Sequence, residues 1–438
     1  MGQIIAALDL GSSKSIALIL EKESLSKHSV LLSETCDSKK AMRRGRIYNY
    51  VEASNIVSEL MKALNNNPDL KVEKIYVGIG GQSLHTKLYS VSKLIENGTI
   101  TTALLNSLRD EALKYQPELE DNLGICSWEY YVDGKLNNSP NGVIASLIEA
   151  KFQLAVGNPC LKRNLESLLR KKEISVAGYF ISPLATAEAV LTRDEKESGC
   201  ALVELGEGLT YISIYKNREL KYMITIPVGG LAITKDICVQ NVKEDEAEAL
   251  KIKYGDMLNE YADNEEVPVN EENPSRKINL KKMNQIIEGR VNEIVKNISH
   301  QIQVSGYSQA LNAGIVITGG GALLRNLPQY IKEQTGKEVR LAQPKMWEDK
   351  KETYLSPADS CVAGLAILGK ENCVKDMRPK VELPPLFTDV EVVIAPPTPP
   401  RPPKKKIWER VIRKIDDGMN NAGATLFNNE DLNKAKKQ

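Results

Sequence analysis

Two segments of this chain, 195 positions apart, carry the same short pattern. Ala6-Ala7-Leu8-Asp9-Leu10-Gly11-Ser12-Ser13-Lys14-Ser15-Ile16-Ala17 lies beside Ala201-Leu202-Val203-Glu204-Leu205-Gly206-Glu207-Gly208-Leu209-Thr210-Tyr211-Ile212. Each reads as apolar strand, acidic residue, glycine turn, apolar strand. Asp9 falls opposite Glu204, Gly11 opposite Gly206, and Ser15 opposite Thr210. Small residues in such turns let backbone N–H groups and hydroxyls approach phosphate oxygens closely. An acid one step before the turn, here Asp9, can hold Mg²⁺ through water. Two such hairpins facing each other would clamp a nucleotide's phosphates from both sides. A lone glycine turn is usually only a turn; the matched pair is what gives the pattern weight.

A third element points the same way. Gly314-Ile315-Val316-Ile317-Thr318 reads as a buried strand, followed by Gly319, Gly320 and Gly321 and an amphipathic helix expected from Leu323. Three glycines there allow a base or ribose to lie against bare backbone at a helix N-terminus. No Walker sequence is present, and Gly78-Ile79-Gly80-Gly81 resembles a dinucleotide fingerprint only superficially, because Gln82 ends the pattern.

From Ile4 to about Gly369 short apolar strands alternate with amphipathic helical stretches, an α/β signature. The strands expected are Ile4–Leu10, Ile16–Leu20, Lys74–Ile79, Ala201–Leu205, Thr210–Tyr215 and Gly314–Thr318. Helices are expected from Glu52 through Leu64 and from about Leu280 towards Gln301, and the acidic segment 256–276 reads as a loop or short hairpin. The net charge is +1, so no global field draws nucleic acid. Seven scattered cysteines without paired spacing read as free thiols of a reducing cytoplasm, and His28, His85 and His300 are too dispersed to make a site. The N-terminus has no signal-peptide pattern and no apolar run is long enough to span a bilayer.

Composition shifts sharply near the end. Residues 384–403 hold eight of the chain's twenty prolines and read as an extended linker. After Lys404, Lys405 and Lys406, helical spacing sets Ile407, Trp408, Val411, Ile412 and Ile415 on one face, with Glu409, Arg410 and Arg413 on the other. This pattern is expected to act as a weak, reversible foot on an anionic membrane that avidity makes firm. Packing on a partner or on the body is the bland alternative.

The three phosphate-type motifs together resemble the actin, Hsp70 and sugar-kinase superfamily, whose two duplicated lobes enclose ATP. Within it the chain resembles the FtsA family over nearly its whole length. Ala41-Met42-Arg43-Arg44-Gly45 and Tyr76-Val77-Gly78-Ile79-Gly80-Gly81 are similar to family segments. The most specific matches are Pro227-Val228-Gly229-Gly230, Thr234-Lys235-Asp236-Ile237, Glu248 through Gly255, and Ile287-Glu288-Gly289-Arg290. Pro183–Ala187 and Pro357–Gly364 look like the two connecting helices between the lobes. The resemblance implies a two-lobed actin-like ATPase fold with an FtsA-type inserted subdomain. Lobe one would take residues 1–83, 163–200 and 346–383, with the insert at 84–162. Lobe two would take 201–345, including a nucleoside-contacting part at about 231–312, before the linker at 384–403 and the tail at 404–438.

Carried over by position, Asp9, Gly11, Ser12, Ser13 and Lys14 would form the first phosphate loop and Glu204, Gly206, Gly208 and Thr210 the second. Gly229 and Gly230 would lie near the phosphates. Glu248 and Lys251 would contact the nucleoside, and Gly319, Gly320 and Gly321 would bound the base. The resemblance implies ATP and Mg²⁺ as cofactors and self-association into filaments. It implies binding of the FtsZ C-terminal peptide, contact of the insert with later division proteins, and a peripheral place on the cytoplasmic face of the inner membrane. Three departures stand out: Glu204 where the family usually has Asp, Glu207 where it has a small residue, and no glycine-methionine-glycine run after Pro140. With no residue evident to position an attacking water, at most weak ATPase activity is expected. An actin-like pilus-assembly protein and a superfamily sugar or acetate kinase are the rival readings.

Overall fold

The computed structural model describes residues 2–377 except 25–26, 96–97, 271–273 and 349–350. The proline-rich linker and the tail with its expected membrane face lie outside the described residues. In the first lobe, Ile4–Leu8 and Ile16–Leu20 are continuous apolar runs that are buried throughout, as befits strands covered on both faces of a sheet. They sit in the antiparallel pair Gln3–Leu10 and Lys14–Lys22. His28–Asp37 continues the sheet on one side, and Ile75–Ile79, running parallel to Gln3–Leu10, on the other. Asn49 caps the helix Tyr50–Leu64 by accepting from the amides of Val51 and Glu52, so the helix begins two residues before the expected Glu52. That helix presents Ala53, Val57, Leu60 and Leu64 to the sheet.

The second lobe repeats this plan. Cys200–Leu205 pairs antiparallel with Thr210–Lys216, which pairs with Glu219–Ile226, while Ile315–Thr318 runs parallel to Cys200–Leu205. The registers match residue for residue: Asp9 faces Ile16 and Leu10 faces Ser15, as Glu204 faces Tyr211 and Leu205 faces Thr210. The long helix Leu280–Val304, capped by Asn279, covers this core with Met283, Ile287, Val291, Ile294 and Ile298. Among the described residues of 256–276 only Glu266–Pro268 is strand, and it pairs with Lys277–Asn279. One expectation is corrected: no α-helix starts at Leu323. Gly320–Leu323 is a single 3₁₀ turn, and the α-helix begins at Leu327, because Asn326 is left-handed at φ 57° and Pro328 belongs in a first helical turn.

Two helices of small residues back the hairpins. Ser182–Val190 packs on the second-lobe hairpin and Ser360–Leu368 on the first. They touch so closely that a Cβ on Gly364 would sit 1.8 Å from the Ala185 carbonyl oxygen. This contact is what brings the two hairpins together.

The insert consists of His85–Leu94, the helix Thr102–Lys114, Asp121–Val132 and Leu147–Gly157, around a core of Ile100, Leu108, Phe152 and Leu154. Chain order sets it in the first lobe, but its hydrogen bonds tie it to the second. His85 pairs with Ile224, so the insert's strands extend the second lobe's sheet to nine. Thr225 Oγ1 donates to the Leu84 carbonyl at 2.6 Å, and Ser127 Oγ to that of Leu220 at 2.5 Å. Glu219–Ile226 would otherwise leave an unpaired edge, and the insert covers it.

Candidate functional site

A cavity of about 430 Å³ opens where the two hairpin turns approach. Asp9, Gly11, Ser12, Ser13 and Lys14 line it from the first hairpin, and Glu204, Gly206, Glu207 and Gly208 from the second. Gly230, Glu248 and Lys251 bound it on one side, and Gly319, Gly320 and Gly321 close that end with Leu323 and Leu324. Thr210 and Gly229 do not reach the lining. The Thr210 hydroxyl is fully buried and donates to the Val228 carbonyl at 2.7 Å. Gly229 packs behind the second turn, where a Cβ would lie 2.4 Å from the Gly206 oxygen and 2.6 Å from that of Glu207.

Each turn is pinned by the residues that follow the third strand of its lobe. In the first, Ser38 donates its hydroxyl to the Gly11 carbonyl (2.6 Å) and its amide to that of Ser13 (3.0 Å). In the second, the amides of Gly230 and Leu231 donate to Gly206 (2.9 Å) and Glu207 (2.8 Å). Carbonyls are thus consumed at the back of both turns. The structure shows the duplication in its support as well as in its sequence.

The electrostatics are unusual for an anion site. Burial pushes the Glu204 carboxyl up to about 8, helped by the nearby Asp9 and opposed by the Thr186 hydroxyl; its Oε2 is buried without a hydrogen-bond partner. Asp9 is raised too, again by burial, against the Cys361 thiol and Lys14. Glu207 is raised by burial and by Glu248, with Lys39 and Lys251 pulling the other way. Two of the cations are committed: Lys14 pairs with Asp359 at 2.6 Å, and Lys251 with Glu248 at 2.6 Å. Lys251 Nζ also donates to Thr234 Oγ1 (2.8 Å) and the Gly230 carbonyl (3.1 Å), so its ammonium is anchored to the helix Gly230–Ile237.

These features fit a nucleotide with a divalent cation. Bare backbone faces the cavity at Gly208 and Gly320, where an added Cβ would meet its nearest atoms at 3.5 and 3.6 Å. Among the described residues no group of three or more His, Cys, Asp or Glu forms a closed metal cage. A cation held by Asp9 would therefore share phosphate and water ligands, which suits Mg²⁺.

Sequence reasoning missed one wall. Met42–Arg43 and Arg46–Ile47 form a tight hairpin whose turn residues Arg44 (φ 49°) and Gly45 (φ 67°) are both left-handed, as a two-residue hairpin loop requires. The Gly45 amide donates to Ser12 Oγ at 3.2 Å, and Gly45, Arg46 and Ile47 line the cavity. An Arg-Gly turn between short apolar residues was the available signal. Cys160, Leu161, Asn164 and Leu165 of the helix Cys160–Lys171, together with Ser182, Tyr211 and Cys361, also line the cavity.

Beside the cavity, two motifs singled out in the sequence meet. Arg290 holds Asp236 with a fork of two bonds, Nε to Oδ2 at 2.6 Å and Nη2 to Oδ1 at 3.0 Å. The pair clamps the helix Gly230–Ile237 onto Leu280–Val304.

Comparison with known proteins agrees with this architecture. Residues 201–364 match the family model described as Cell division protein FtsA. The chain is 29% identical over 353 residues to the cell division protein FtsA of Porphyromonas gingivalis, covering 79% of this chain and 74% of that one. It is 26% identical over 372 residues to the FtsA of Neisseria meningitidis, covering 82% and 89%. Among solved structures, a PilM-PilN type IV pilus biogenesis complex aligns with a TM-score of 0.58 at 12% identity, covering 83% of this chain and 98% of that one, a likeness of fold alone. Along most of its length the chain is thus similar to bacterial proteins named cell division protein FtsA, and its duplicated two-lobed fold is actin-like.

Proposed function

We propose that the cavity binds ATP with Mg²⁺ and that the protein is a nucleotide-controlled scaffold. In this role it polymerises and tethers FtsZ filaments to the cytoplasmic face of the inner membrane at the division site. The observation that carries the nucleotide reading is the pair of hairpins in identical register, their turns lining one cavity with glycine backbone and serine hydroxyls. Gly11, Ser12, Ser13, Gly206 and Gly208 would bind the phosphates, Lys14 would offset their charge once freed from Asp359, and Asp9 would hold the cation through water. Glu248 would take the ribose hydroxyls, and Gly319, Gly320 and Gly321 would floor the base. The bound phosphate–cation pair supplies charge that bridges both lobes. Ionised carboxyls around the cavity would weaken nucleotide affinity, and with no residue evident to position an attacking water the reading is a weak ATPase at most.

Support for the tether comes from the family and from the tail. Relatives of this chain are named for cell division, and Lys404-Lys405-Lys406 with Ile407, Trp408, Val411, Ile412 and Ile415 has the pattern of an interfacial helix. Among the described residues no helix is long and apolar enough to cross a membrane. The test is flotation of anionic liposomes with labelled FtsZ, using the intact chain with ATP or a version ending at Pro400. FtsZ should rise only with the intact chain. If the chain floats and FtsZ does not, the tethering role fails; if neither floats, the membrane foot fails as well.

A further inference from the structure

We propose that Arg46 recognises the terminal phosphate of a nucleoside triphosphate and so lets the cavity distinguish ATP from ADP; this rests on the nucleotide reading above. Among the described residues, three cationic side chains line the cavity: Lys14, Lys251 and Arg46. Lys14 and Lys251 are ion-paired with Asp359 and Glu248. Arg46 is not: its Nε is buried with no hydrogen-bond partner, and no ion pair reaches its guanidinium among the described residues. A guanidinium Nε that has lost water beside a cavity without gaining a partner is costly. A phosphate group is the ligand that satisfies such a fork best.

Position argues for the terminal phosphate. The base end is marked by Glu248, Lys251, Ile252, Leu323 and Leu324. The hairpin bearing Arg46 is tied instead to the two phosphate turns. Its Gly45 amide bonds Ser12 Oγ, and a Cβ on Gly45 would meet Gly81 at 2.6 Å and Leu209 at 3.2 Å. Arg44 in turn is the backbone nearest Gly208, 3.6 Å from a Cβ built there. The hairpin therefore touches both phosphate turns. A triphosphate would bring one phosphoryl group more to those turns than a diphosphate. Its added charge would meet Arg46 in a cavity whose other two cations are already paired and whose lining includes Asp9, Glu204, Glu207 and Glu248.

The experiment is isothermal titration of the full-length chain with ATP, a non-hydrolysable ATP analogue and ADP, each with Mg²⁺. It compares the unaltered protein with Arg46→Gln and Arg46→Lys. Arg46→Gln should weaken both triphosphates about tenfold and leave ADP within about twofold, and Arg46→Lys, which keeps charge but loses the fork, should fall between. Equal losses for ADP and ATP, or no loss, overturn the proposal while leaving nucleotide binding intact. Failure of the unaltered chain to bind any nucleotide overturns the nucleotide reading itself and this inference with it. Should Arg46→Gln unfold, Arg46→Lys decides alone: a loss confined to triphosphates supports the contact, and any other pattern refutes it.

Discussion

Replacing Glu204 by Gln should make the nucleotide-free protein more stable, and increasingly so as pH rises. The Glu204 carboxyl has an ordinary value of 4.5 and is pushed up to about 8 in the fold, mainly by burial. A raised folded value means that the folded state keeps the proton longer than the unfolded chain does. The stability this contributes is fully present below 4.5 and is lost as pH rises through about 8. At about 1.4 kcal/mol per unit, the ceiling is about 5 kcal/mol. Water in the cavity screens the charge and Asp9 titrates beside it, so an observable effect of about 2–3 kcal/mol is expected. For a body of this size that corresponds to about 3 °C in the unfolding midpoint. The assay is thermal unfolding of both proteins without nucleotide from pH 5 to pH 9. The advantage of Glu204→Gln should be near zero at pH 5 and reach its full size by pH 9. A difference that stays constant with pH would refute the argument, because it would mean that Glu204 ionises normally in the fold.

Three further substitutions test the scaffold. Gly364→Ala should cost about 3 kcal/mol or more, read as a lowered denaturant midpoint, because its Cβ would lie 1.8 Å from the Ala185 oxygen; an unchanged midpoint would show that the two helices separate freely. Gly229→Ala should push the second turn out of place, lowering stability by about 2 kcal/mol and nucleotide affinity by about tenfold, although Gly229 does not line the cavity. Arg290→Ala should cost about 1 kcal/mol, less in 1 M salt. A double-mutant cycle with Asp236→Asn should show coupling, since the two side chains share both bonds of the fork.

How much of this protein is written locally can be judged element by element. The duplicated hairpins were legible because strand, acid, glycine turn and strand are all specified within a dozen residues, and both lobes then folded that dozen in the same register. The long helix ending at Val304 announced itself by its apolar spacing. Most residues expected at the site do line one cavity, because the glycines and serines of a turn have few other places to go. Helix starts were less legible: Asn49 moved one back two residues, and Asn326 with Pro328 moved another forward to Leu327.

What only the tertiary structure decided are contacts between segments far apart in the chain. Nothing near Gly364 says that Ala185 will occupy its Cβ space, and nothing near His85 says that Ile224 will accept it as a sheet partner. Lys14 and Lys251, expected from the sequence to meet phosphate and nucleoside, become partners of Asp359 and Glu248 in the fold, while among the described residues the Nε of Arg46, one arginine among several in its segment, is left without a partner beside the cavity. The physical reason is range. Turn geometry, capping and periodicity are short-range energies that a few neighbouring residues settle, whereas burial, pairing and the shift of a carboxyl to about 8 depend on which distant surfaces close over it.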